Sequence, residues 1–286
     1  MRRFLVLLLL CLAPAGLAGA QELQGTLRKI KDSGTLNLGF RESSRPFSFA
    51  GPEGRPAGYS IDLCLRVVDS VREQLRVPSL KTQWFPVTPE NRIQLVANGT
   101  IDLECGSTTV TLGRQALVDF SLLTFVDGGS LLARLGSNIS SPADLGGKRV
   151  AVVPRTTTEK ALADALQKNW ITTAQIVSVK ENAAGLAAVE QGQADAFASD
   201  RTVLVGLLEQ AKDPKRLRVS GQYFSYEPYA LMLRRDDPDF RLTVNRALVK
   251  LYQSVHITQI YEAWFGRFSQ ASALLRAMYS LNSIPE

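Results

Sequence analysis

Two runs place small hydroxyl residues and an arginine directly after strand-like segments: GSTTVTLGRQ (106–115) and PRTTTEK (154–160). Such a run can hold an anion. In the first, Gly106 permits a tight turn, Ser107, Thr108 and Thr109 offer hydroxyls, and a helix starting near Thr111 offers unpaired N–H groups. Arg114, one turn into that helix, adds a planar donor fork suited to a carboxylate. In the second, Thr156 and Thr157 repeat the device. Both runs also have plainer readings, as an N-cap beside a solvated arginine and as an ordinary capping box. Arg41 opens RESSRPFSF (41–49), in which Phe47 and Phe49 are available to wall a pocket; taken alone it reads more readily as a surface residue than as a ligand contact. Arg92 starts a helix, where the dipole prefers acids, and that unfavourable position hints at function. Asp200 follows ADAFAS (194–199), where its carboxylate can meet a ligand ammonium or cap the helix beginning at Arg201.

Other chemistry is sparse. His256 is the only histidine, which removes most histidine-based metal sites and leaves one candidate for a base-activated nucleophile. Cys64 and Cys105 form an even pair compatible with one disulfide in an exported chain, two buried thiols being the alternative, and their spacing fits no zinc pattern. Cys64 falls on a helix and Cys105 at the end of a strand that this helix can cover. The sequons at Asn98 and Asn138 read as polar turns. No metal and no cofactor is expected.

The elements that must position these residues alternate between strand-like and helical patterns, the rhythm of an α/β fold. TLNLGF (35–40), TQWFPV (82–87), TIDLEC (100–105), KRVAVV (148–153), QIVSV (175–179) and ADAFAS (194–199) read as strands. Helical spacing runs from Ile61 to Leu75, and over 89–97, 158–168, 182–192, 201–211 and 237–266, the last opened by Asp237-Pro238. Two apolar or aromatic stretches, 124–134 around Gly128-Gly129 and 223–235, look like crossings between two lobes. The chain is thus expected to comprise a signal peptide at 1–20, a first lobe from 21–126 and 230–286, and a second lobe from 127–229. The signal peptide rests on Arg2 and Arg3, an apolar run too short to span a membrane, and Ala18-Gly19-Ala20 as a cleavage pattern. The net charge of +6 is spread among acids without an aromatic-basic platform, which argues against a nucleic-acid partner and suits attraction of anionic solutes.

FRESSRPFSF, AGYSIDLC, VTPENRIQLVANGTIDLECGSTTVTLGRQ, RTTTE, DAFASD and YALMLRRDDPDF together resemble the periplasmic glutamate/aspartate-binding proteins that feed ABC transporters, over about Gly34 to Phe268. The resemblance implies the two-lobed type II periplasmic binding protein fold, an acidic amino acid as ligand, an inner-membrane ABC permease as partner, a periplasmic location and a monomer. It also implies that Arg114 with Ser107 and Thr109 holds the α-carboxylate, Asp200 the α-ammonium, and Arg41 with Arg92 the side-chain carboxylate. Thr156 and Thr157 would offer hydroxyls and N–H groups from the second lobe. Two departures bear on specificity: Pro154-Arg155 stands where relatives commonly carry a small residue, so Arg155 either crowds the cleft or adds a charge, and Asn182 stands where some carry histidine. Charge counting agrees, since Arg114 and Asp200 satisfy a neutral amino acid and a second ligand carboxylate accounts for Arg41 and Arg92. The alternative is a dehydratase-like enzyme on the same fold, which needs a further acid or base in the cleft.

Overall fold

The computed structural model describes residues 22–266 and 270–285. The signal-peptide expectation for 1–20 lies outside the described residues. In chain order the first part comprises α1 (Gly25–Ser33), β1 (Thr35–Phe40), a small three-stranded sheet of β2 (Ser43–Ser44), β3 (Ser48–Ala50) and β4 (Pro56–Ala57), then α2 (Tyr59–Leu75), β5 (Lys81–Pro86), α3 (Arg92–Ala97), β6 (Leu103–Glu104), α4 (Leu112–Gln115) and β7 (Asp119–Asp127). The middle comprises β8 (Gly129–Arg134), β9 (Arg149–Val152), α5 (Thr157–Lys168), β10 (Gln175–Ser178), α6 (Asn182–Glu190), β11 (Ala196–Asp200), α7 (Arg201–Leu208) and β12 (Leu217–Val219). The chain returns through β13 (Glu227–Leu233) to α8 (Pro238–Tyr252), α9 (His256–Phe265) and α10 (Ala273–Asn282).

Two five-stranded sheets result, ordered β5-β1-β6-β13-β7 and β10-β9-β11-β8-β12. In each, three parallel strands adjoin antiparallel ones, and helices bury their apolar stripes against the faces. The chain passes from the first sheet to the second through Gly128 alone and returns between β12 and β13. The two passages are in contact: Gly129 N donates to Ser225 Oγ at 2.8 Å, and Phe224 N to Gly129 O at 2.9 Å. A Cβ at Gly128 would lie 2.5 Å from Ser225 O, so this approach admits only glycine.

Several elements differ from their sequence patterns. The expected 237–266 helix is two helices, because Ser254 Oγ donates to Leu251 O and accepts from His256 N, taking over backbone bonding at the break. TIDLEC contributes only two strand residues, although Asp102 N and Cys105 N still donate to Asn37 O and Gly39 O of β1. The 89–97 helix begins at Arg92 because Asn91 Oδ1 accepts from Thr88 N and holds 88–91 as a turn. Phe47 and Phe49 do not wall the pocket. Phe47 is fully buried among Tyr59, Phe125, Tyr229 and Phe265, where a large ring removes more apolar area from water than at a polar cleft, and Phe49 packs edge-on against Trp264. Cys64 on α2 and Cys105 after β6 are joined by a disulfide, with their Cα atoms 6.1 Å apart. Among the described residues no helix is long and apolar enough to cross a membrane.

Candidate ligand-binding cleft

The loops after β1, β6, β9 and β11, at the carboxyl ends of parallel strands in both sheets, converge on one cleft, the usual place for ligands of open α/β sheets. It is lined from the first sheet's side by Arg41, Ser44, Pro89, Arg92, Ser107 and Thr109, and from the second by Val153, Thr156, Thr157, Thr158, Asn182, Ala198, Ser199, Asp200 and Val203. Eight of the nine candidates named from sequence are therefore together. The ninth, Arg114, is not among the lining side chains: its guanidinium donates to Thr109 O at 2.7 Å and braces the loop from beneath.

Arg41 and Arg92 are only 4% and 3% exposed, and the Nε of each has no hydrogen-bond partner. Arg41 Nη2 donates to Glu181 Oε2, which lies just before α6 in the second lobe, at 2.5 Å. Arg92 Nη1 donates to Thr108 Oγ1, which in turn donates to Glu104 Oε2, both at 2.7 Å. Burial pulls the Arg92 guanidinium below its ordinary pKa while the Glu104 carboxylate opposes that shift. Arg114 is lowered the same way, against Glu227 and Glu104. The structure thus supplies internal acids that the sequence count omitted, so Arg41 and Arg92 are not simply surplus cations. A Cβ at Gly106 would fall 2.1 Å from Glu104 Oε1, which explains the glycine at that turn.

Asp200 ends β11 and stands at the N-cap position of α7, yet its side chain makes no cap bond. Thr158 Oγ1 donates to its Oδ1 at 2.8 Å and the Tyr229 hydroxyl donates to Oδ2. The plain capping reading therefore does not hold, because two buried hydroxyls outcompete the helix N–H groups. Asp200 is raised to about 6 by burial and by the nearby Glu227 charge, against the two hydroxyl donations. Asp127, at the end of β7, is raised to about 8 by burial and by Asp200.

The hydroxyls expected to greet an anion are largely committed within the protein. Thr109 and Thr157 both donate to Glu227 Oε2 at 2.6 Å. Thr156 donates to Val153 O at 2.8 Å and accepts from Glu159 N, which is the capping reading of that run. Asn182 Nδ2 reaches Ser43 O at 3.1 Å and Ser44 Oγ at 3.3 Å, so its amide bridges the two sides of the cleft. Arg155 is exposed and does not line the cleft; its Nε lies 4.0 Å from Glu90, and its backbone N donates to Glu159. Ser44, Thr158, Ser199, Glu104, Glu181 and Glu227 were not legible as site residues. Thr158 stood in a run already singled out, whereas the glutamates carried no local signal.

Two α/β lobes joined by paired crossings, with a polar, charge-rich cleft between them, define a ligand-binding protein of the bilobal class. The family model described as bacterial extracellular solute-binding proteins, family 3, matches residues 36–267, and the chain belongs to that family. It is 42% identical to an L-glutamate/L-aspartate-binding protein of Pseudomonas aeruginosa, over 86% of this chain and 82% of that one. It is 36% identical to a glutamate/aspartate import solute-binding protein of Escherichia coli, over 88% of this chain and 84% of that one. An ancestral amino-acid-binding protein, described as a precursor of cyclohexadienyl dehydratase, superposes with a TM-score of 0.73 at 27% identity, covering 84% of this chain and 100% of the other. These sequence relatives are binding proteins, the Escherichia coli one of an import system, and the enzyme alternative is not favoured.

Proposed function

We propose that the protein captures glutamate or aspartate in this cleft by lobe closure and delivers it to an inner-membrane ABC permease, acting as a monomer in the periplasm after export through the 1–20 leader. The lobes in this reading are 21–126 with 230–286, and 127–229. Asp200 takes the α-ammonium and Arg114, with the Ser107–Thr109 loop it braces, the α-carboxylate. Arg41 and Arg92 take the side-chain carboxylate, with Asn182, Thr156 and Thr157 closing from the second lobe. The observation that carries the reading is that two guanidinium groups, nearly fully buried and each with an unpaired Nε, face the same small space as a buried carboxylate. Burying such cations is costly without anionic partners, and Glu181 occupies only one end of Arg41.

Calorimetry on four proteins tests it. The unmodified chain is expected to bind glutamate and aspartate far more tightly than glutamine or asparagine. Arg41→Ala or Arg92→Ala should weaken the acids by ~2 to 5 kcal/mol, the range for leaving one charge of a buried pair without its partner, while Arg114→Ala weakens every amino acid. Tight glutamine binding, with the first two variants indifferent, would sink the acidic assignment.

A further inference from the structure

One carboxylate oxygen receives hydroxyls from both lobes. Glu227 begins β13, on the returning passage between the sheets, and is 1% exposed. Its Oε2 accepts from Thr109 Oγ1, on the loop after β6, and from Thr157 Oγ1, the first residue of α5, each at 2.6 Å. Its Oε1 accepts from Ser225 Oγ at 2.6 Å, and Ser225 Oγ also receives Gly129 N of the outgoing passage at 2.8 Å. The two threonine oxygens are 3.2 Å apart. A hydroxyl has one proton to give, so both protons are directed at Glu227 and away from the cleft that both residues line.

We infer that Glu227 is a positioning residue that couples ligand capture to lobe closure, its Oε2 clasping Thr109 of the first lobe to Thr157 of the second. The inference rests on the proposed closure over an amino acid, but names a part of the machinery that touches no ligand. Separating the lobes moves Thr157 away from Thr109, so opening breaks at least one of the two bonds. A clasp made only in the closed form slows opening and leaves the encounter of ligand with the open form unchanged. Charge-assisted hydrogen bonds are the stronger kind, and the paired Oε1–Ser225 bond holds the carboxylate in place from the passage itself.

Stopped-flow kinetics with glutamate on Glu227→Ala, Thr157→Val and the double variant reads the clasp. Each single variant is expected to raise the dissociation rate roughly 10- to 100-fold, the range for losing charged-group hydrogen bonds, with association nearly unchanged. The double variant should be little worse than the worse single one, because both remove the same contact. Glu227→Gln, which keeps an oxygen acceptor but loses the charge, should recover part of the loss. A merely structural role would lower the unfolding temperature and give additive rates. Thr157→Val changes a half-buried hydroxyl with little change of shape; because Thr157 also stands in the proposed ligand set, it is the lobe separation of this variant without ligand that carries the test if Glu227→Ala fails to fold. A dye on each lobe reads the separation independently of ligand identity. Failure of the unmodified chain to bind any amino acid overturns the ligand reading; additive rates, or dissociation rate and lobe separation unchanged in both variants, overturn the clasp.

Discussion

At the scale of single residues, buried acids in the cleft and near it make the protein sensitive to pH. Asp200 and Asp127 are raised to about 6 and about 8, both chiefly by burial. For a carboxyl raised on folding, the folded chain holds more protons than the unfolded one between the ordinary carboxylate value and the raised one. Stability from these two groups is therefore present at low pH and is lost as pH rises through about 6 and about 8. The unfolding temperature of the unliganded protein is expected to drift down over that window, and Asp127→Asn to flatten its upper part. Ligand linkage has the opposite sense. An ammonium beside Asp200 favours the ionised form, so binding releases protons near pH 6 and affinity weakens as pH falls below it. Titration calorimetry in two buffers of different ionisation heat measures that release, and heats independent of buffer at about pH 6 would refute it.

Among the elements, the disulfide fastens α2 to the chain just after β6, immediately upstream of the loop that carries Ser107 and Thr109. With the cysteines 41 positions apart in sequence, loop-closure reasoning gives roughly 4 kcal/mol of stabilisation. Unfolding in denaturant with and without reductant should differ by about that amount. Reduced protein that still folds should retain ligand binding at low temperature, since neither sulfur lines the cleft. The same region shows where pattern reading ran short. TIDLEC has the composition of a full strand, but only Leu103–Glu104 pairs in register with β1, and the Asp102 carboxylate just before them accepts from Asn37 N and Lys29. The break between α8 and α9 likewise depends on one serine hydroxyl, which periodicity cannot register.

For the whole molecule, the lobes meet through polar contacts at the cleft and an apolar cluster around the crossings. Arg41 with Glu181, Asn182 with Ser43, and Glu227 with Thr109 and Thr157 span the cleft, while Phe47, Phe125 and Tyr229 pack together on the first sheet's side. Polar cross-cleft contacts separate at modest cost in water, while the two passages stay bonded to each other through Gly129, Phe224 and Ser225, an arrangement that suits hinge motion. Small-angle scattering is expected to show a smaller radius of gyration with saturating glutamate than without. An unchanged radius would mean a preformed pocket.

The sequence by itself determined the α/β alternation, the two crossings at Gly128-Gly129 and 223–235, the cysteine pair, and the strand-end positions of Arg41, Ser107, Thr109, Thr156 and Asp200. These are local properties: a strand pattern followed by polar residues puts their side chains at a sheet edge wherever the strand goes. Tertiary structure alone decided what each of them touches. Arg41 meets Glu181 across 140 residues of chain, Thr109 meets Glu227 across 118, and Thr158 meets Asp200 across 42. A glutamate's recruitment to a buried cluster depends on which loops the sheets bring together, and no spacing along the chain encodes that. Hence the polar strand edges were legible, while the acids that meet them became visible only once both sheets were in place.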